Sequence, residues 1–250
     1  MNHTELIIQW EAEENAAFAG WDFSHLCGRW ESPALPWNYL SIVKSYLKDS
    51  YRLLDMGTGG GEFLLTIGHA NENTYVTEAY EPNYKLCEQV LAPLGITVAR
   101  TYDDDKLPFD ENFFDIIINR HESFDLTEID RVLRHGGYFI TQQVGNMNSH
   151  NLMQKLNNNY IFHNPEHDVQ SYVATLTNLG FEILAMDDIQ YPAKFYDVGA
   201  LVYYAKAIPW EFPGFTVKTH ISKLIDCQLE VEEKGYLQCN EHRFYIVAKK

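Results

Sequence analysis

The sequence predicts a doubly wound α/β fold, with a mostly parallel sheet of seven strands and an antiparallel last strand. Three features carry that prediction. Apolar, strand-like runs alternate with helix-like segments from residue 50 onward, a glycine-rich turn follows the first run, and the chain ends on a strand. Residues 52–55 (RLLD) form a short run ending at glycines, which suits a buried parallel strand. Residues 62–67 (EFLLTI) read as the helix after it. Residues 74–80 make a second strand, and 82–91 a helix with Pro82 in its first turn. Residues 96–100 alternate as a third strand, and 113–119 (FFDIIIN) are the clearest buried strand in the chain. Leu126, Ile129, Val132 and Leu133 share helical spacing; Gly136 and Gly137 close that helix and 138–144 open the next strand. Residues 169–179 look helical and 181–186 look like a strand. Val217, Ile221, Leu224 and Ile225 mark an amphipathic helix, and 243–248 (RFYIVA) form the last strand.

No repeat or low-complexity tract interrupts this rhythm, so one domain over residues 1–250 is expected. Within it, residues 1–49, rich in Trp and Pro, are an N-terminal helical cap and 50–189 are the core. Residues 190–242, with an aperiodic Pro- and aromatic-rich stretch from Pro192 to Gly214, are a cover, and 243–250 hold the last strand. The 35 acidic residues outnumber 19 Lys and Arg, for a formal charge of −16. Unaided attraction to nucleic acid phosphates or anionic lipid is therefore not expected. The longest apolar run, Val198 to Ala205, is far short of a membrane span, and the acidic N-terminus does not resemble a signal peptide. Four dispersed cysteines without a C-x-x-C pair fit a cytoplasmic protein with reduced thiols.

The most informative segment is LLDMGTGGGEFL, residues 53–64. Asp55, Gly57, Gly59 and Gly61 fall at every second position between a strand and a helix. Glycines there let the backbone turn and approach a ligand beyond the strand ends. A dinucleotide fingerprint fails, because the sixth position is Glu62 from Gly57 and Leu64 from Gly59. A phosphate-gripping loop fails as well, since no Gly-Lys-Ser/Thr follows. An acid just before the first glycine favours a cationic ligand.

The segment resembles motif I of the class I S-adenosylmethionine (SAM)-dependent methyltransferases, Asp/Glu-x-Gly-x-Gly-x-Gly, whose fold is Rossmann-like. Four further stretches extend the likeness. Glu81-Pro-Asn-Tyr-Lys-Leu-Cys87 resembles the family's stretch after the second strand, where an acid binds the ribose hydroxyls; Glu81 is the match and Glu78 its competitor. Asp103-Asp-Asp-Lys-Leu-Pro-Phe109 resembles Asp-x-x-x-Leu-Pro-Phe, which implies that Asp103 accepts from the adenine amino group and Asp104 offers its backbone N–H. Phe114 to Ile118 resembles the fourth strand, and Arg131 to Gly137 resembles RVLKPGG with His135 in place of Pro. The likeness covers 51–144, and 165–189 loosely. It implies SAM as cofactor and methyl transfer to O, N, C or S.

Such a transfer needs alignment and sometimes a base. At the end of the fourth strand, Asn119 is the candidate for the methionyl amino group, His121 for the general base, and Glu122 for its orienting partner or the base itself. His121 and Glu122 also fit a plain helix start. Tyr39, Trp37 and Trp210 are candidates for lining the acceptor pocket, although aromatics in such segments also serve packing alone. His163 and His167 have i, i+4 spacing, but Pro165 between them and the lack of a Cys or HExxH partner argue against metal. The expected acceptor is a small molecule, with RNA or protein as the alternative acceptor, and a non-catalytic SAM-binding protein as the alternative of another class. The sequence leaves oligomeric state open.

Overall fold

The computed structural model describes residues 3–18, 22–102, 106–157, 160–161 and 164–250. The elements in chain order are α1 (His3–Glu14), β1 (Trp30–Glu31), α2 (Tyr39–Tyr46), β2 (Leu53–Met56), α3 (Glu62–Ile67), β3 (Thr74–Glu78), α4 (Glu81–Val90), β4 (Thr97–Arg100) and β5 (Phe114–Arg120). They continue with α5 (Leu126–Val132), β6 (Leu133–Val144), α6 (His150–Leu156), α7 (Val169–Asn178), β7 (Glu182–Phe195), α8 (Val198–Ala207), α9 (Val217–Lys234) and β8 (Leu237–Lys249). The eight strands lie in the order β1-β7-β8-β6-β5-β2-β3-β4. Pairings from β4 through β6 are parallel, and β8 runs antiparallel to β6. The strand beyond the expected seven is β1, a two-residue bridge antiparallel to β7.

Backbone contacts divide the chain into two compact units. The larger comprises Leu35–Gly145, Glu166–Ile189 and Arg243–Lys250. Its sheet is covered on both faces. Tyr39, Val43, Leu64, Ile67, Cys87 and Leu91 pack on one side with Ile116, Ile118 and Ile140. Leu126, Ile129, Val132, Val169 and Leu176 pack on the other with Leu54, Ile117 and Phe139. Ile116, Ile117 and Ile118 are wholly buried, each side chain contributing roughly 1.5–3 kcal/mol relative to exposure. Strand β2 has β3 on one side and β5 on the other, so the chain order reverses there. In such sheets the crevice for ligands opens beyond the C-terminal ends of the strands at the reversal.

The other unit comprises Met1–Ala34, Asn146–Pro165 and Gln190–His242. Its core gathers Leu6 and Trp10 of α1, Leu152 and Leu156 of α6, Leu201 and Val202 of α8, and Leu224 and Cys227 of α9. The stretch expected to be irregular contains the end of β7 and the whole of α8. Every residue of α8 except Lys206 is buried. A helix apolar on all sides has no amphipathic period to detect. Asp197 caps it, accepting from Ala200 N at 2.8 Å, and pairs through both oxygens with Arg29.

Two boundaries also differ from expectation. Strand β6 begins at Leu133 rather than Tyr138, with Gly136 and Gly137 inside the strand and a register shift opposite. Helix α5 is capped by Asp125, which accepts from Glu128 N at 2.8 Å, so His121 and Glu122 do not start it.

Candidate active site

The loop after β2 places Asp55 at the strand end, 4% exposed. Its carboxylate accepts from Thr58 Oγ1 at 2.7 Å. Desolvation pushes its pKa up to about 7, against the opposing effects of Thr58 and Arg120. The predicted glycines serve different needs. At Gly57 a Cβ would stand 2.3 Å from Glu122 Cγ, so this glycine accommodates a side chain of the protein itself. At Gly61 a Cβ would collide with Leu91. At Gly59, where φ is +63°, a Cβ would meet nothing within 4 Å. That is the open position in the loop.

Of the two competing acids, Glu78 is the one turned to the loop. It ends β3, is 5% exposed, and accepts from Gly59 N and Tyr80 N, each at 2.9 Å. Glu81 lies one helix start later and pairs with Lys85 at 3.0 Å and with Arg100. Lys85, then Arg100, hold its carboxyl below the usual range. The Pro-Asn stretch favours Glu81, whereas the end of β3 turns Glu78 toward the loop. Asp103 and Asp104 lie outside the described residues, as does His163. The neighbouring Leu-Pro-Phe is anchored by Glu128, which accepts from Leu107 N at 2.6 Å. His167 bonds Tyr172 OH at 2.8 Å and packs on Phe244.

Across the reversal, Asn119 pairs in register with Met56, next to the glycine loop. It is wholly buried. Its Oδ1 accepts from Gln143 Nε2 at 2.6 Å, and Gln143 is itself oriented by donating to Glu122 O at 3.2 Å. Asn119 Nδ2, a donor, has no partner among the described residues. The atom that would accept from an ammonium is thus already engaged, which is the wrong polarity for the expected contact with the methionyl amino group.

Tyr39 is buried behind these strands rather than lining a pocket. Its hydroxyl lies 2.9 Å from both Asn119 O and Ile140 O, bridging β5 and β6. Burial raises its pKa. Trp37 donates to Gln142 Oε1 at 2.8 Å. Trp210 belongs to the other unit and is 60% exposed.

His121 has a φ of +63°, unusual for a residue bearing a side chain. As a residue His121 is exposed, one position beyond the end of β5, although its ring is partly desolvated. That desolvation, followed by the charges of Arg243 and Arg120, brings its pKa down to about 3. A base that weak is ill matched to abstracting a proton near neutral pH. The sequence reading does not single out Gln142 or Gln143, which lie in the run TQQV at the C-terminal end of β6.

Two buried acids at one glycine loop suit a ligand with a positive centre and neighbouring hydroxyls, and oppose a pyrophosphate. The family profile for the methyltransferase domain matches residues 54–141, the span from β2 into β6. A comparison with curated proteins finds no match. Among solved structures, the chain is similar to the YcgJ protein from Bacillus subtilis, at 16% identity over 85% of this chain and 97% of that one, with a TM-score of 0.56. It is also similar to a functionally unknown protein from Deinococcus radiodurans R1, at 14% identity over 87% and 88%, with a TM-score of 0.59. The cyclase SpnF gives 16% identity over 84% and 80%, with a TM-score of 0.50. At these identities the likeness is one of fold. Residues 54–141 thus form a methyltransferase domain, and the cofactor of its methyl-transfer activity is S-adenosyl-L-methionine.

Proposed function

We propose that this methyltransferase acts on a small-molecule acceptor, with the cofactor held between Asp55, Gly59 and Glu78. The observation that carries the reading is the pair of buried acids, Asp55 and Glu78, bonded to Thr58 and Gly59 of the loop, in which Gly59 has an open Cβ position. The bound cofactor supplies a methyl group on a sulfonium. Asp55 faces its positive end, and Glu78, in place of Glu81, takes the ribose hydroxyls with the lone pairs left beside its two backbone bonds. Asp103 and Asp104 retain the adenine role that the family likeness implies. His121 is not retained as base, and Glu122, folded on Gly57, keeps the role of candidate base. A net charge of −16 speaks against a phosphate polymer as acceptor. The four free cysteines favour a reducing, cytoplasmic setting.

The test is incubation with methyl-labelled SAM and a cell extract, followed by size fractionation. Label is expected among small molecules. Label confined to RNA or protein would overturn the acceptor class, and no transfer despite cofactor binding would leave a SAM-binding protein without this activity.

A further inference from the structure

His121 is held by a short relay whose polarity can be read from one end. Trp37 Nε1–H can only donate, and it lies 2.8 Å from Gln142 Oε1. Gln142 therefore turns its Nε2 hydrogens to His121, whose Nε2 is 3.1 Å away. A ring nitrogen facing an N–H carries its lone pair there, so the single proton of the neutral ring sits on Nδ1. Trp37 is fixed in turn against Tyr245, 5.1 Å between ring centroids, and Tyr245 pairs with Gln142 across β6 and β8. The His121 backbone N–H also donates to Gln142 O at 2.9 Å. Among the described residues no hydrogen bond is made by Nδ1.

The charges around this ring are mixed in position but clear in order. Arg120 precedes it and lies over the Phe63 ring at 4.2 Å. Arg243 is in register with Val144, two residues from Gln142. Glu122 follows it and is folded against Gly57, on the cofactor side. An acceptor meeting the His121 edge finds a fixed neutral donor, with the Arg243 and Arg120 charges acting on the same ring. An amine acceptor would find repulsion from Arg120 and a ring nitrogen already committed elsewhere.

We propose that His121 binds the methyl acceptor as a neutral donor, locked in the Nδ1–H tautomer by the positioning residues Trp37 and Gln142, and that the acceptor carries a carboxylate received by His121 and Arg120. The tautomer follows from this chain alone, while the acceptor class rests on the methyl-transfer reading above.

The tautomer is tested on the full chain labelled with 15N-histidine, by proton–nitrogen correlation from about pH 5 to about pH 9. His121 signals, identified by their loss in His121→Gln, are expected to show Nδ1–H throughout without titrating. In Gln142→Glu, whose carboxylate accepts from both neighbours, the proton moves to Nε2; in Trp37→Phe the two tautomers mix. An Nε2–H pattern or a midpoint between about pH 6 and 7 in the unaltered protein would overturn the lock.

The acceptor class is tested on protein saturated with S-adenosylhomocysteine (SAH), titrated with benzoate, benzamide and benzylamine. Benzoate is expected to bind about tenfold more tightly than either and to lose that margin in Arg120→Gln. Equal binding, or preference for the amine, would overturn the carboxylate. Failure of SAH itself to bind would instead remove the methyl-transfer reading, and the acceptor class with it, while the histidine spectrum still decides the tautomer.

Discussion

The two sides of the crevice in the larger unit use one physical effect with opposite signs. On the β2–β3 side, burial pushes the acid Asp55 up to about 7; on the β5–β6 side, it brings the base His121 down to about 3. Both groups are kept from charging because charge is disfavoured away from water. The difference lies in how far each stands from neutral pH. Asp55 is poised where an arriving cation can ionise it, whereas His121 is displaced well below neutral pH. One side can respond to a ligand with a proton; the other can only present a fixed surface.

The largest effect that would break this contrast is at Gly59. Gly59→Val fills the open position on the acidic side, and SAH should no longer raise the melting temperature. The fold itself should survive at a cost of about 1–2 kcal/mol for a left-handed non-glycine residue, because no atom stands in the way. Calorimetry with and without SAH separates the two effects. A retained SAH shift would mean that the ligand lies elsewhere.

Next in size is the pair of acids. Glu78→Gln should weaken SAH binding about 10- to 100-fold, as loss of charge-assisted hydrogen bonds from a buried carboxylate does. Glu81→Gln, which breaks only a pairing at the surface with Lys85 and Arg100, should change it less than about twofold. Titration calorimetry on both variants gives the order; the reverse order would return the ribose contact to Glu81.

That pair also marks how far the sequence could be read. The parallel core was legible because β2, β3 and β5 are short apolar runs between turn signals, and the glycine register told a cationic ligand from a pyrophosphate. The choice between Glu78 and Glu81 was not legible, because the two lie within three residues and only the end of β3 shows which one turns inward. Helix α8 was missed because burial on every side erases its period. Asn119 was found, but not its polarity, which depends on Gln143 of the neighbouring strand and Glu122 in the turn after β5. His121 was found for its ordinary pKa, which is the property that folding removes.

The response of the acidic side to pH comes third. Asp55 is protonated in the folded, ligand-free chain up to about pH 7, whereas in the unfolded chain it ionises near pH 4. Between those values the folded state binds the extra proton. The contribution to stability is therefore complete below about pH 4 and is lost as pH rises to about 7. Asp55→Asn should abolish that decline, becoming the more stable protein at about pH 8 in urea titrations. Cofactor affinity should move the other way, rising about tenfold per unit up to about pH 7 and then levelling, because the cation needs the ionised form. A flat affinity profile would place the positive end of the cofactor away from Asp55.

The smallest effect is expected at Tyr39, which stands between the two sides. Its hydroxyl bridges the Asn119 and Ile140 carbonyls, accepts from Asn119 N at 3.3 Å, and is buried. Tyr39→Phe leaves those two carbonyls without their shared donor and should cost about 1–2 kcal/mol of stability. SAH affinity should stay within about twofold, since neither Asp55 nor Glu78 bonds to it. The opposite pattern, unchanged stability with weakened binding, would restore Tyr39 to the pocket wall and require β5 and β6 to be held together by their ladder alone. Urea titration and calorimetry on the same sample distinguish these outcomes, because a residue that only braces the strands moves the first measurement and not the second.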